Sequence, residues 1–161
     1  MMNTAAFRHL YEYHFTENRA LWNVCAALSD EQFTQAIPYS HGSVRNQFVH
    51  LMSVDDTWFS GLRGSAIPEP LNPASFPDRE GIRVYWDHVE RTMRDYLAEL
   101  RDDTLFDRPL EGEDKDLMVW QVLIHVVNHG TDHRAQVLRL LHDFGLKTTS
   151  QDYIFFVYDN P

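Results

Sequence analysis

The chain has 161 residues, 43% apolar and 24% charged, with a formal net charge of −10 at pH 7 and one cysteine. That length suits one ordinary domain, residues 1–161, with a real core. The acidic balance disfavours a nucleic-acid-binding surface, lone Cys25 excludes an intramolecular disulfide framework, and no apolar run approaches the ~20 residues of a membrane span. The start, MMNTAAFRHLYEYHF, lacks the basic and unbroken apolar pattern of a secretory signal, and there is no N-x-S/T site, so the expected setting is a reducing cytoplasm.

Four long segments carry helical period, and almost nothing alternates like a strand. The first runs from about Asn3 to Leu28 along Phe7, Leu10, Tyr11, His14, Asn18, Leu21, Trp22 and Cys25, with Asn3 or Thr4 as its cap. SDEQFTQ reads as a turn with a short helical piece. The second helix opens at Ser43 and follows Val44, Phe48, Leu51, Asp55, Trp58 and Leu62. Residues 64–77, GSAIPEPLNPASFP, hold four prolines and form a loop long enough for a crossover. The third helix spans roughly Asp78 to Leu100 on Ile82, Trp86, Val89, Met93, Tyr96 and Leu97. Residues 101–116 are polar and turn-rich, with room for a small β-hairpin. The fourth helix runs from about Leu117 to His142, with Gly145 as its stop. The aromatic tail TTSQDYIFFVYDNP is expected to pack on the helices, on a partner, or over a site. The predicted fold is all-α, a four-helix bundle with a long crossover between helices 2 and 3.

No G-x-G-x-x-G, P-loop, G-x-S-x-G or H-E-x-x-H occurs. What stands out is HVVNHGTDHRAQ, residues 125–136, with His125, His129 and His133 four residues apart. On a helical wheel His133 falls mid-stripe, His129 about 40° off it and His125 about another 40° away. The i, i+4 pair His129/His133 stacks within reach of one ion. A core histidine bonded to a carbonyl or carboxylate fits the same spacing. Two imidazoles on facing helices could complete a three-histidine site: His14, central on the first helix, and His50, at the edge of the second. The wheel slightly prefers His14. Asp55 reads as a buried partner for Arg or His, or as a general base. Arg134 lies opposite the apolar line and reads as a surface or dimer-contact residue. Trp58 and Trp120 read as core, and Cys25 as a small hydrophobe rather than a nucleophile.

The run W-Q-V-L-I-H-V-V-N-H-G-T-D-H-R-A-Q, Trp120 to Gln136, resembles the last helix of DinB/YfiT-like proteins. Y-E-Y-H-F-T-E-N-R-A-L near the start and S-V-R-N-Q-F-V-H-L on the second helix extend the resemblance over essentially the whole chain. It implies a crossover four-helix bundle, often a homodimer, with a divalent metal ion, zinc or nickel, on three histidines. By position these are His50, His129 and His133, so the resemblance selects His50 over His14. His125 then becomes structural or supporting, and Asp132 stands where relatives often have another histidine. Gln136 could orient a ligand nitrogen, or be an ordinary polar residue. Three histidines leave an ion an open position. The resemblance therefore implies a metalloenzyme that activates a small-molecule substrate, a low-molecular-weight thiol or water, as a thiol-dependent transferase, isomerase or hydrolase. The alternative is a non-catalytic stress-response or binding module whose site is structural or empty. Partners expected to be absent are nucleic acid and membrane.

Overall fold

Each long helix begins where a side chain takes over an unpaired backbone N–H. In the computed structural model, which describes residues 3–160, Asn3 Oδ1 accepts from the Ala6 N–H at 2.9 Å and opens α1 (Thr4–Cys25). A reciprocal pair of bonds between Ser29 and Gln32 frames the short α2 (Asp30–Thr34). Ser43 Oγ accepts from Asn46 N–H at 3.1 Å to start α3 (Val44–Leu62). Asp78 does the same for Gly81 at 2.9 Å, starting α4 (Arg79–Glu99). The longest helix, α5 (Val119–Asp143), ends at Gly145, whose φ of 78° lets its N–H reach the His142 carbonyl at 2.9 Å. A last helix, α6 (Tyr153–Asp159), closes the described chain. All regular structure among the described residues is helical.

The apolar stripes meet in two clusters. One joins Phe7 and Tyr11 of α1, Phe59 and Leu62 of α3, Met93 and Leu97 of α4, and Val119 and Val122 of α5. The other joins Leu21, Val44, Phe48, Ile82, Trp86 and Val137. The starts of α3 and α4 thus lie at one end, with the finishes of α1 and α5. The linker between α3 and α4 therefore travels back along α3, where Leu71 N–H donates to Ser53 Oγ at 3.1 Å. A 3-10 turn at Pro73–Ser75 and the edge contact of Phe76 with Tyr85 settle it before α4.

Residues 101–116, with room for a small β-hairpin, do not form one. They wind into 3-10 turns at Asp102–Phe106 and Gly112–Asp114. Thr104 N–H bonds back to Arg101 and Asp107 N–H back to Thr104, each at 3.1 Å, so the backbone is satisfied locally. Leu105 is buried, and Pro109 would remove a ladder donor from any strand here.

Arg134 is the larger correction. It is 1% exposed rather than on the surface. A wheel assumes one covered face, whereas α5 packs against both α1 and α3 and also receives Gln151 of the C-terminal segment. Arg134 donates to Gln151 Oε1 at 2.9 Å, to Thr131 Oγ1 at 3.0 Å and to Asn18 Oδ1 at 3.0 Å, and its guanidinium lies over Tyr13. Its Nη1 is also 3.2 Å from His14 Nδ1. Its other nitrogen, Nε2, meets Asn18 Nδ2 at 3.1 Å and faces Asp55 Oδ2 at 3.5 Å. A fully buried imidazole thus sits between a buried guanidinium and a buried carboxylate. Gly130 makes room for it: a Cβ there would stand 2.4 Å from His14 Cε1. The tail lies on α1, with Phe156 buried against His9 and Tyr13.

Candidate metal centre

The α3/α5 seam gathers three imidazoles. His50 comes from α3 and His129 and His133 from consecutive turns of α5. Their ring centres are 5.1 Å apart for His50–His129, 4.6 Å for His50–His133 and 4.3 Å for His129–His133. His50 Nε2 and His129 Nε2 approach to 3.1 Å. Metal–nitrogen bonds of 2.0–2.1 Å imply an edge of roughly 3.0–3.4 Å between neighbouring ligands on one ion, so this approach has the right length. His14 is not part of the group, being committed to Arg134 and Asp55. His125 is exposed and sits further along the seam, its ring 6.0 Å from His129 and edge-on to Trp58 at 5.1 Å.

A further imidazole joins the three. His41, on the loop before α3, stacks on His50 with ring centres 3.8 Å apart and planes 23° from parallel. Nitrogens of His41, His50 and His133 all lie within 4.8 Å of one another, a group that does not include His129, which approaches it at His50 Nε2. Sequence reasoning missed His41 because no helical period reaches into a loop. Its only signal was a histidine one residue before the glycine that precedes the Ser43 cap.

The side chains behind the rings fix their orientation. Gln47, fully buried on α3, accepts at Oε1 from His133 Nδ1 at 3.1 Å, which leaves His133 Nε2 free towards the cluster. Gln47 Nε2 donates to Gln136 Oε1 at 3.0 Å, and Gln136 Nε2 donates to Asp132 Oδ2 at 3.1 Å. Gln136 therefore acts on His133 through Gln47 and does not touch His129. Asp132 lies at the exposed end of this chain and raises the proton affinity of His133 against the effect of burial. His129 differs: its Nδ1 is buried without a hydrogen-bond partner. An ordinary core histidine would have that atom satisfied.

Burial, and then mutual repulsion, keeps the imidazoles neutral, the form that binds metals. Desolvation first, then His41 and His133, lowers His50 to about 4. Desolvation, then His133 and His50, lowers His129 to about 3. His41 and His133 are also lowered, chiefly by burial. Above about pH 6.5 these rings are neutral in both the folded and the unfolded chain. Below it the unfolded chain takes up protons that the folded cluster refuses until about pH 4 at His50 and about pH 3 at His129. The metal-free protein is thus expected to lose melting temperature steadily from pH 7 to pH 4. His129→Ala should flatten that slope in thermal melts with a chelator present. Equal slopes would contradict the account.

Beside the seam lies a cavity of about 440 Å³ whose walls include Trp58, Gly61, Ile67 and Leu110. Trp58 is half-buried, lines the cavity and meets the His125 ring with planes 70° apart. Gly61 admits the close approach of Leu110, whose Cδ2 would lie 2.6 Å from a Cβ.

The model of the DinB family matches residues 1–160. The chain belongs to the DinB family. It is similar to Protein DinB of Bacillus subtilis (strain 168), 25% identical over 166 residues that cover 98% of this chain and 96% of that relative. In this DinB-family chain the donor set suits a borderline divalent ion: neutral imidazoles, no thiolate, and a carboxylate only at the outer end of the Gln47–Gln136 chain. Among the described residues, no helix is long and apolar enough to cross a membrane.

Proposed function

We propose that this chain is a metal-dependent enzyme in which His50, His129 and His133 hold a divalent ion, zinc or nickel, for chemistry on a small thiol or on water. The observation that carries the reading is the 3.1 Å meeting of neutral imidazole nitrogens from α3 and α5, beside a third ring aimed by Gln47. A bound divalent ion would acidify a thiol or water and polarise an electrophile. The residues of the chain do the rest. Gln47 holds the His133 tautomer, Gln136 and Asp132 hold Gln47, and the cavity beside Trp58 gives an apolar substrate portion a place out of water. The proposal includes the crossover four-helix bundle as the architecture, supported by the shared starting end of α3 and α4. It also includes a homodimer, for which the exposed Ile154, Phe155 and Tyr158 of α6 offer an apolar face. The setting is cytoplasmic, consistent with a buried free Cys25 whose thiol is pushed up to about 12. The substrate is a small molecule rather than nucleic acid, in keeping with the net charge of −10.

Nickel-loaded protein titrated with 2-mercaptoethanol tests the reading. The expected result is a saturable sulfur-to-metal charge-transfer band that His50→Ala abolishes. A loaded protein that shows no band would contradict a thiol-activating role and favour a purely structural ion.

A further inference from the structure

The loop at residues 35–43 approaches the histidines from the solvent side, and its conformation is specified in detail. Ile37 N–H donates to the Gly42 carbonyl at 2.7 Å, Gly42 N–H returns to Tyr39 at 3.0 Å, and Asn46 Nδ2 holds the His41 carbonyl at 2.9 Å. Ser40 adopts a φ of 48°, the one positive value at a non-glycine position among the described residues. Such a conformation persists only where surrounding contacts impose it. Here the Ser40 hydroxyl bonds Gln136 Oε1, the same atom that receives Gln47. One amide oxygen therefore ties the loop to the chain that orients His133.

The result is an imidazole presented to the cluster from a loop. His41 is exposed, unlike the helix-borne rings, and its ring centre lies 3.8 Å from His50 and 5.2 Å from His133. The nitrogens of these three rings fall within 4.8 Å of one another. Closing that separation to the roughly 3.0–3.4 Å of a shared ion takes a shift of less than about 2 Å, within reach of rotation about two side-chain bonds. The opposite rotation carries the ring into solvent.

We propose that His41 is a displaceable fourth ligand, occupying the open position of an ion held by His50, His129 and His133 until an incoming anionic ligand takes its place. This rests on the metal-site reading above. The three helix-borne ligands supply permanent binding, and the loop-borne one supplies a resting state protected from adventitious ligands. An incoming thiolate or other small anion then competes with a protein group, so its apparent affinity is reduced by the fraction of time His41 is bound.

Cobalt(II) and azide are the probes, with full-length wild type, His41→Ala and His41→Phe. All three chains should bind one cobalt. Both variants should show altered visible absorption, a cobalt affinity lower by about tenfold, and azide affinity at the loaded site higher by about tenfold. Phenylalanine keeps the stack on His50 but cannot ligate, so it should behave like alanine. Identical spectra and azide affinity in wild type and His41→Ala would overturn the proposal, as would a His41→Phe protein that behaves like wild type. A wild-type chain that takes up no cobalt would overturn this proposal together with the metal site, whereas cobalt binding indifferent to His41 would overturn this proposal alone.

Discussion

Replacing His133 with alanine is expected to weaken zinc or nickel binding by on the order of a hundredfold or more. Supporting residues around metal ligands typically contribute about 10–100-fold each, and a ligand contributes at least that much. His133 is both a convergent ring and the end of the Gln47–Gln136–Asp132 chain, so its loss removes a donor and leaves Gln47 Oε1 without its partner. His129→Ala and His50→Ala should lose binding comparably, because the two rings meet nitrogen to nitrogen. His14→Gln should leave metal affinity unchanged, since His14 faces Arg134 and Asp55. Equilibrium binding against a chromophoric chelator distinguishes these cases. Equal affinities for wild type and His133→Ala would show that the ion binds elsewhere.

The second large effect concerns stability. Arg134→Ala is expected to destabilise the protein by about 3–5 kcal/mol in urea unfolding, the range for removing one member of a buried charged network. Four acceptors lose their donor at once: Gln151 Oε1, Thr131 Oγ1, Asn18 Oδ1 and His14 Nδ1. Asp55, whose two buried oxygens have no hydrogen-bond partner even in the intact network, also loses the nearby guanidinium charge. Arg134→Lys should recover little, because one ammonium cannot reproduce a planar fork that reaches α1, α5 and the tail together. A loss below about 1 kcal/mol for Arg134→Ala would mean that the network relaxes or fills with water.

The helices were legible because each long segment needs one apolar stripe, and Val44, Phe48, Leu51, Asp55 and Leu62 on α3 are all buried as that pattern requires. The same periodicity could not rank the histidines. It measures the angle around a helix, not what stands opposite. His14, central on its stripe, is fully buried, whereas His50, at a stripe edge, reached the α3/α5 seam and stays partly exposed. Family resemblance chose His50 instead, because position in a motif carries tertiary information that a wheel lacks. Arg134 was misread for the related reason that α5 is covered on more than one side. His41 and Gln47 stayed hidden for different reasons: one sits in a loop without period, and the other is a polar residue whose burial depends on partners far along the chain, 86 and 89 residues away.

X-ray absorption at the metal edge of zinc- or nickel-loaded wild-type protein tests the central claim most directly. Convergence of His50, His129 and His133 on one ion predicts at least three imidazole nitrogens at about 2.0–2.1 Å, with the imidazole count falling by one in His129→Ala. A sphere made only of oxygen donors, or one unchanged by that substitution, would contradict it.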